Sequence, residues 1–464
     1  MTIWIPDLSR RKGARCRALA SAIIDDIRSG ILPAGARLPP QRYLADKLGL
    51  SPNTVMRAYM DVTRRGYIEG IVGRGTFVVS PDNQRNTERA GAVLRPDAGP
   101  IDFSVNLPFM ENNGNLLEGT LAGIIRQNNS HMLLDHYPDA MRLRHQEAGA
   151  QWLCRHGLNC NADTVMITSG AQQAIFIALM TLLKPDDVLL TESLSYSPVK
   201  EMAQKAGRRV VGITMDDEGI SPEHLRAACR HYRPRALYLM PTLHTPTAIT
   251  MGEDRRREIA LIAREFDFYL IEDDVFGMLP ASRPAPVAVY APLQTVFITS
   301  LSKSVAPGLR VGFIHAPDKI LRALAYTSQL ICRHQPAMMA EIASRWIQEG
   351  RAEEMNAMQR DHARRRQALA ASCLGSTSFH ASPEGHHIWL FPGENWDADT
   401  FATAAGVAGV LVNPASIFSM NQEKLPAAVR VCLSHERSDQ RVSDGLNRLA
   451  ALIRQESTQG PLVY

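Results

Sequence analysis

The sequence contains few cysteines, and they form no pattern that a disulfide framework or a zinc site would need. There are seven in all, an odd number, with no CxxC pair among them. They are Cys16, Cys154, Cys160, Cys229, Cys332, Cys373 and Cys432. Scattered spacing of this kind is typical of buried or reduced thiols, so we expect neither structural disulfides nor a bound metal.

Long apolar runs and internal repeats are also lacking. No stretch of the 464 residues approaches a membrane span, and none resembles the apolar core of a secretory signal. Hydrophobic residues make up 45% of the chain and charged residues 21%, which is ordinary for a globular protein. We therefore expect a soluble, cytoplasmic protein with two or three domains and no membrane partner.

Positive charge is concentrated at one end of the chain. Residues 1–80 contain 13 Lys+Arg and 6 Asp+Glu, a balance of +7. The whole chain carries +4, which leaves −3 for residues 81–464. A basic end on a mildly acidic body favours a polyanion-binding module joined to a second module, although a basic face that is simply solvated is the alternative.

The first helical patterns lie in this basic end. Leu19, Ile23 and Ile27 recur every four residues and predict a helix over residues 15–29. Residues 41–48 predict a second, shorter helix, because a turn glycine follows them directly.

A third helix and a hairpin complete the pattern. The helix begins with Ser51, a natural N-cap, and runs to about Arg65. Residues 67–69 and 76–79 predict two strands, joined by a Gly-Arg-Gly turn at residues 73–75. Three short helices followed by a two-stranded wing predict a winged helix–turn–helix domain over residues 1–80.

The third helix of such a domain enters the major groove, where side chains reach base edges. An asparagine can pair with adenine, hydroxyl groups reach phosphates or bases, and arginines hold the backbone. The candidate DNA-binding residues are Arg42, Ser51, Asn53, Thr54, Arg57 and Arg74. For each of these residues taken alone, solvated surface is the alternative.

The same stretch resembles the DNA-binding domain of the GntR family over residues 12–79. Turn glycines, a turn proline and core residues match together, and the matching positions are Leu38-Pro39, Arg42, Leu44-Ala45, Thr54-Val55, Ala58-Tyr59, Gly66 and Gly73-Arg74-Gly75-Thr76-Phe77-Val78. The resemblance implies double-stranded operator DNA as the partner. Pro52-Asn53 departs from the family, which often has an arginine before the Thr-Val pair, so the base sequence that this helix reads stays open.

The character of the sequence changes after residue 80. Residues 81–99 are polar, contain two prolines and show no helical or strand period, which predicts a linker. From residue 100 to 464, helical stretches alternate with short apolar segments. The predicted strands are 164–168, 187–190, 209–213, 236–240, 269–271 and 295–298. This alternation predicts an α/β domain with a largely parallel sheet.

Three short motifs follow predicted strands of this domain. Residues 168–172, Thr-Ser-Gly-Ala-Gln, open a helix whose free N–H groups suit a phosphate. Asp273 and Asp274 end an apolar strand, where a carboxylate can stay ionised beside a protonated heteroaromatic nitrogen. Lys303 lies among serines with Arg310 seven residues on, a setting in which an amine of lowered pKa forms a Schiff base. A turn or a surface charge explains each motif alone, but their order and spacing together favour a cofactor site.

Together these motifs resemble the fold-type I aminotransferases over about residues 100–455. With the GntR-like part, the whole chain resembles the MocR subgroup of regulators. The resemblance implies an aminotransferase class I/II-like domain that binds pyridoxal 5′-phosphate (PLP) covalently through Lys303, with Asp273 at the pyridine nitrogen. Around the phosphate it places Gly170, Ala171, Gln172, Ser300, Ser302 and Arg310.

The resemblance assigns three further residues. Tyr196 would stack on the cofactor ring, and Arg430 would bind the carboxylate of a ligand, which suits its planar fork. Tyr137 would reach the phosphate of the partner subunit, so a homodimer is implied. Packing alone is the alternative for each of the three.

Two departures affect the oxygen on the cofactor ring. Thr245, in His-Thr-Pro-Thr-Ala, stands where aminotransferases usually have an asparagine that contacts this oxygen. Phe276 follows the acidic pair in a region where a tyrosine usually contacts the same oxygen. Each lost hydrogen bond costs about 1 kcal/mol or somewhat more, and the electronics of the ring change with it. Cofactor binding survives such losses more readily than turnover does.

Three hypotheses of function follow. The first is a transcription regulator whose PLP-binding domain senses a small amine, an amino acid or the cofactor itself. The second is a working aminotransferase with an attached DNA-binding domain, favoured by Lys303, Asp273 and Arg430 and opposed by Thr245 and Phe276. The third is a regulator that has lost the cofactor and binds another molecule in the old cleft.

Overall fold

The computed structural model describes residues 4–6, 15–33, 35–64, 67–71, 75–78, 99–110, 114–127, 130–135, 139–421 and 425–456. The chain divides into two compact units, Met1–Asp97 and Ala98–Tyr464, which we call the head and the body. No described helix is both long enough and apolar enough to cross a membrane.

The head contains the three helices and the wing that the sequence predicts. They are α1 (Arg15–Arg28), α2 (Gln41–Leu48), α3 (Pro52–Arg64), β1 (Ile68–Ile71) and β2 (Gly75–Val78). The two strands pair antiparallel, with Ile68 opposite Val78. Leu19 and Ile23 of α1 are fully buried against Val55 and Val62 of α3, so one apolar stripe from each helix forms the core.

The body alternates helices and strands. Its α-helices are Gly114–Arg126, Asp139–Cys154, Ala171–Leu182, Ser197–Lys205, Pro222–Tyr232, Glu253–Glu265, Val287–Tyr290, Asp318–Ile331, Ala337–Gln348, Arg351–Leu374, Ala398–Val407 and Asp439–Glu456. Its short 3₁₀ helices are Ser130–Leu133, Ala162–Thr164, Pro307–Leu309 and Ala415–Phe418. Its strands are β3 (Ile101–Asp102), β4 (Val165–Thr168), β5 (Val188–Glu192), β6 (Arg209–Ile213), β7 (Met215–Asp216), β8 (Gly219–Ile220), β9 (Ala236–Leu239), β10 (Tyr269–Asp273), β11 (Thr295–Ser300), β12 (Gly312–His315), β13 (Phe379–Ala381), β14 (His387–Leu390), β15 (Val410–Leu411), β16 (Asn413–Pro414) and β17 (Val429–Cys432).

A seven-stranded sheet forms the centre of the body, in the order β4-β12-β11-β10-β9-β5-β6. Every neighbouring pair from β11 to β6 is parallel, and β12 alone runs antiparallel, between β11 and β4. The largely parallel sheet predicted from the sequence is therefore confirmed. The residues of β11 are all buried, as expected for a central strand covered by helices on both faces.

A second, smaller sheet has the order β13-β14-β17-β16, and β15 pairs in parallel with β3. The sequence analysis predicts none of these strands. Several are only two or three residues long, so no alternating pattern is available to mark them. The smaller sheet packs around Phe103 and Phe401, both fully buried, and it brings Arg430 of β17 to the site described below.

Candidate functional site

A cavity of about 150 Å³ lies where strands of the central sheet end. β4 ends next to the helix that starts at Ala171, β10 ends at Asp273 and β11 ends at Ser300. Ligands of open α/β sheets bind at this edge. The lining residues are Asn106, Leu107, Ala171, Gln172, Ile175, Tyr196, Met240, Thr245, Asp273, Val275, Phe276, Ser300, Ser302, Lys303, Pro307, Arg310 and Arg430. The cavity thus brings together three motifs that are far apart in the sequence.

One end of the cavity is built to hold an anion. The helix Ala171–Leu182 starts here, and its N-cap residue, Gly170, makes no side-chain cap. Free N–H groups at a helix N-terminus attract a phosphate. Gly170 has a φ of +87°, and a Cβ at this position would lie 2.8 Å from Nη2 of Arg310. A side chain here would push the guanidinium away from the start of the helix, where it lies beside Ser300 and Ser302, and the positive φ itself favours glycine.

Asp273 lies on another wall and is only 3% exposed. The Tyr238 hydroxyl donates to its Oδ2 at 2.6 Å, and the Val275 N–H donates to Oδ1 at 3.3 Å. Burial raises the pKa of this carboxyl to about 6, while the hydrogen bond from Tyr238 acts in the opposite direction. Above that pH the site offers a carboxylate to a cationic ring nitrogen.

Asp274, the next residue, belongs to a different cluster. His156 Nδ1 lies 2.9 Å from its Oδ2, and Arg283 Nη1 donates to the same oxygen at 2.8 Å. Although burial opposes ionisation, the Arg283 guanidinium and the hydrogen bond from His156 hold the pKa of Asp274 well below its usual range. Because an ionised carboxylate only accepts hydrogen bonds, Nδ1 of His156 carries the proton. Asp274 does not line the cavity, so of the two acidic residues only Asp273 faces a ligand.

Lys303 lies half-buried at the cavity, with its Nζ donating to the carbonyl of Asn106. The same nitrogen lies 5.5 Å from the centre of the Phe276 ring. Burial, together with the positive charge of Arg430, lowers the pKa of the Lys303 amine to about 8. A larger fraction of this lysine is therefore neutral, and nucleophilic, near physiological pH than for an ordinary surface lysine.

Arg430 provides a second cationic group at the cavity. Its Nη2 donates to the carbonyl of Ser104 at 2.8 Å, and its guanidinium lies 4.8 Å from the centre of the Phe418 ring. Its Nε is buried without a hydrogen-bond partner. A buried, unsatisfied N–H on a rigid guanidinium suits the carboxylate of a ligand.

The other residues that the sequence analysis assigns to the site also line the cavity. Tyr196 is half-buried, Thr245 is buried, and Gln172 is exposed at the helix start. Phe276 is buried and contributes no hydroxyl. Tyr137 lies outside the described residues, so its assignment stays a prediction.

Sequence reasoning missed Tyr238, Asn106 and Leu107. A tyrosine in the middle of an apolar strand gave one usable signal, because a buried phenol needs a hydrogen-bond partner. Asn106 and Leu107 lie in a segment without motif or period, and only the folded chain brings them to Lys303.

In the head, the described DNA-binding candidates lie on α2, on α3 and at the residue that precedes α3. Arg42 and Arg57 are exposed. Ser51 caps α3, because its Oγ accepts the Thr54 N–H at 3.2 Å and lies 2.8 Å from the Thr54 Oγ1. Asn53 is in α3, but its side chain, like the whole of Arg74, falls outside the described residues.

Metal and disulfide chemistry have no support in the described part of the chain. No group of three His, Cys, Asp or Glu side chains there is arranged to hold a metal ion. All seven cysteines are free thiols, and the sulfurs of Cys154 and Cys160 lie 3.7 Å apart.

Comparison with known proteins identifies relatives of both units. Residues 99–449 match aminotransferase class I and II, and residues 16–78 match the bacterial regulatory proteins of the gntR family. The uncharacterized HTH-type transcriptional regulator YdeF of Bacillus subtilis is 28% identical over 454 residues, which cover 97% of this chain and 96% of that protein. The probable rhizopine catabolism regulatory protein MocR of Rhizobium meliloti is 27% identical over 387 residues, with 77% and 76% covered.

Solved structures share the fold of the body. An archaeal alanine:glyoxylate aminotransferase aligns with a TM-score of 0.71 at 22% identity, covering 80% of this chain and 94% of that one. A kynurenine aminotransferase from Pyrococcus horikoshii aligns with a TM-score of 0.70 at 21% identity, covering 82% and 96%.

Proposed function

The chain belongs to the aminotransferase class I and II family and carries a gntR-family helix–turn–helix domain, as MocR-type transcription regulators do; on this premise we propose that it is a DNA-binding regulator whose body binds PLP on Lys303 and senses a small amine or amino acid. One observation carries the proposal. Lys303, Asp273, Arg430 and the anion-binding end formed by the helix start at Ala171 and by Arg310 line a single cavity, in a chain that also contains a DNA-binding fold.

The residues present fit the cofactor. The helix start at Ala171 and the guanidinium of Arg310 suit its phosphate, and the close approach at Gly170 leaves room for both. Asp273 suits a protonated ring nitrogen, and Tyr196 supplies an aromatic face beside the cavity. PLP, when bound, supplies an aldehyde that reacts reversibly with amines.

Each residue of the cavity then has its own role in ligand recognition. The lowered pKa of Lys303 supplies a neutral amine near physiological pH. Arg430 binds the carboxylate of an amino acid, while Asp273 keeps the ring oriented. Because Thr245 and Phe276 stand where aminotransferases have an asparagine and a tyrosine that contact the ring oxygen, the site favours reversible binding over fast turnover. The assignment of Tyr137 to the phosphate of the partner subunit implies a homodimer. A change in the body on ligand binding would then alter how the two heads of this dimer bind an operator.

An aminotransferase with a fused DNA-binding domain is the second candidate, since Lys303, Asp273 and Arg430 are all present at the cavity. Repeated turnovers with an amino donor and a 2-oxo acid would establish this function. A single stoichiometric exchange between the donor and the cofactor, without further turnover, supports the regulator.

An absorbance titration of the full chain with PLP tests the cofactor assignment. We expect a saturable absorbance band in the near-ultraviolet to visible range, with one PLP bound per chain. A protein that gives no band and no saturable binding has lost the cofactor and uses the cleft for something else.

The head's function is tested by changing one arginine. Arg57 is exposed on α3, so Arg57→Ala is expected to weaken binding to a DNA fragment upstream of the protein's own gene by about tenfold, the cost of one lost base or phosphate contact. A mobility-shift titration at fixed moderate salt measures it. Arg322→Ala, at an exposed site in the body, is the matched control and should leave affinity unchanged. Equal affinities for the Arg57 variant and the parent protein would remove α3 from the DNA interface.

Tyr238 is expected to set the pH range of cofactor binding. Asp273 has a raised pKa of about 6, so its carboxyl is neutral below that pH, and binding of a protonated ring nitrogen strengthens as pH rises through it. Tyr238→Phe removes a donor to the ionised form and should move this step upward by about one pH unit. PLP affinity measured from pH 5 to 8 tests it, with Tyr232→Phe, away from the cavity, as control. An unchanged pH profile would show that the phenol does not tune Asp273.

A further inference from the structure

The first described part of the body after the head runs across the ligand cavity. Residues 79–98 separate the head's last strand from this part, and Asn106 and Leu107 both line the cavity. We call Phe103–Leu107 the strap. The strap therefore lines the ligand cavity and also follows, along the chain, the segment that connects the head to the body.

Two carbonyl groups of the strap are held by the two side chains proposed to bind ligand. The Ser104 carbonyl accepts from Arg430 Nη2 at 2.8 Å and also from Asn413 Nδ2 at 3.0 Å, and the Asn106 carbonyl accepts from Lys303 Nζ. These carbonyls lie two residues apart on the same short segment. Lys303 and Arg430 therefore both line the cavity and hold the strap.

Other hydrogen bonds fix the position of the strap. The Ser434 hydroxyl donates to the Leu107 carbonyl at 2.6 Å. Nδ2 of Asn106 lies 3.2 Å from Nδ1 of His387, whose Nε2 lies 3.2 Å from the His244 carbonyl. Since that carbonyl only accepts, His387 carries its proton on Nε2, and Nδ1 accepts from Asn106. The strap therefore has a defined position from which a change can be measured.

The chain on the head side of the strap is anchored as well. The Asp102 N–H donates to Glu436 at 2.8 Å, and Arg441 Nη2 donates to the carbonyls of Gly99 and Pro100 at 3.3 and 3.2 Å. A change in the strap reaches residues 79–98 only by shifting this anchored stretch.

We propose that the strap transmits ligand binding from the cavity to the segment that leads to the head, because PLP draws Lys303 away from one strap carbonyl and the carboxylate of a ligand weakens the contact of Arg430 with the other. The inference rests on the proposed cofactor binding. The Lys303 nitrogen that condenses with the aldehyde forms a C=N bond, while the C=O bond breaks and one water leaves. The nitrogen gives its ammonium protons to the water and to solvent and no longer donates them to Asn106.

The carboxylate of a ligand acts on the second contact. A two-pronged carboxylate uses one N–H of Arg430 Nη2, whether it pairs with Nη1 or with Nε, and the other N–H of Nη2 donates to the Ser104 carbonyl. A carboxylate oxygen at that nitrogen repels the carbonyl oxygen beside it. An amino acid whose amine replaces Lys303 on the aldehyde returns the lysine to its free amine form, so such a ligand acts on the strap through Arg430.

Hydrogen exchange of the full chain, followed by mass spectrometry, tests this with three probes. Pyridoxamine 5′-phosphate occupies the phosphate and ring sites without a covalent link or a carboxylate. PLP adds the covalent link, and N-(5′-phosphopyridoxyl)-L-alanine supplies the carboxylate. For PLP and the alanine adduct we expect exchange of peptides covering residues 99–110 to rise about fivefold, the effect of one lost net hydrogen bond, and peptides covering 79–98 to change with them. Pyridoxamine 5′-phosphate should change neither.

Variants separate the two contacts. Arg430→Met should remove the effect of the alanine adduct and keep that of PLP. Arg264→Met, which breaks the contact of Arg264 Nη1 with the Tyr290 carbonyl, is the matched control, since neither residue lines the cavity, and it should respond like the parent protein. Ser434→Ala loosens the strap without touching the cavity, so it should raise exchange at residues 99–110 before any probe is added.

The outcomes are distinct. If no probe binds, the proposed function fails and this inference fails with it. Binding of PLP and the adduct with unchanged exchange at residues 99–110 overturns the inference alone. A change confined to 99–110 that does not extend to 79–98 overturns it equally.

Discussion

Lys303→Ala is expected to abolish the absorbance band of covalently bound PLP. No other described lysine lines the cavity, and alanine has no amine to condense with the aldehyde. The anion-binding end of the cavity and Asp273 stay in place, so the variant should still bind the cofactor reversibly, with lower affinity. Absorbance spectra before and after desalting measure both effects: the parent protein keeps its band, and the variant loses the cofactor on the column.

Lys200→Ala is the matched control for this prediction. Lys200 is also half-buried, and its Nζ donates to the Ser419 carbonyl at 3.0 Å, but it does not line the cavity. This variant should keep the band of the parent protein. If Lys303→Ala retained the band through desalting, another amine would carry the cofactor and the assignment of Lys303 would be wrong.

The sequence predicts well those parts of the site that directly follow a strand. Residues 168–172, Asp273 and Lys303 each follow a short apolar run, and polar residues that end parallel strands meet at one edge of the sheet. Their local order therefore suffices to place them together without knowledge of the packing. In the structure Asp273, Lys303 and, from the first motif, Ala171 and Gln172 line one cavity.

The parts that sequence does not predict depend on contacts between distant segments. Tyr238 reaches Asp273 from a neighbouring strand, 35 residues away in the chain. Asn106 meets Lys303 across 197 residues. Neither contact leaves a local period or motif, because each partner is specified only by the assembled sheet and by the strap that crosses it. For the same reason the sequence does not predict strand pairs as short as β3 and β15.

The pairing of Asp273 with Asp274 shows how neighbouring residues of one type divide into two roles. One faces the cavity beside Tyr238, and the other is held by Arg283 and His156. The sequence shows only an acidic pair. The distinction comes from the end of β10, where successive side chains point to opposite sides of the sheet. Gly277 leaves room for the second carboxylate, since a Cβ there would lie 2.0 Å from Oδ2 of Asp274.

Arg283→Met is expected to cost about 3 to 5 kcal/mol of stability, because it leaves the fully buried carboxylate of Asp274 without its cationic partner. It also removes the bond from Arg283 Nη2 to the His156 carbonyl at 3.0 Å. Urea unfolding of the full chain, followed by the signal of the body, measures the loss. Arg322→Met is the control: its ion pair with Asp318 is exposed, so its removal should cost well under about 1 kcal/mol.

The pH dependence separates this charge effect from lost packing. The pKa of Asp274 is lowered in the folded protein, so its ionisation stabilises the fold above the ordinary aspartate value of about 3.9, and that contribution is lost as pH falls. Without Arg283 the pKa of Asp274 rises, and the carboxyl takes up a proton as pH is lowered. The stability gap between the variant and the parent protein should therefore narrow from pH 7 to pH 5. A gap that stays constant would mean that Arg283 stabilises the body through packing rather than through the buried charge.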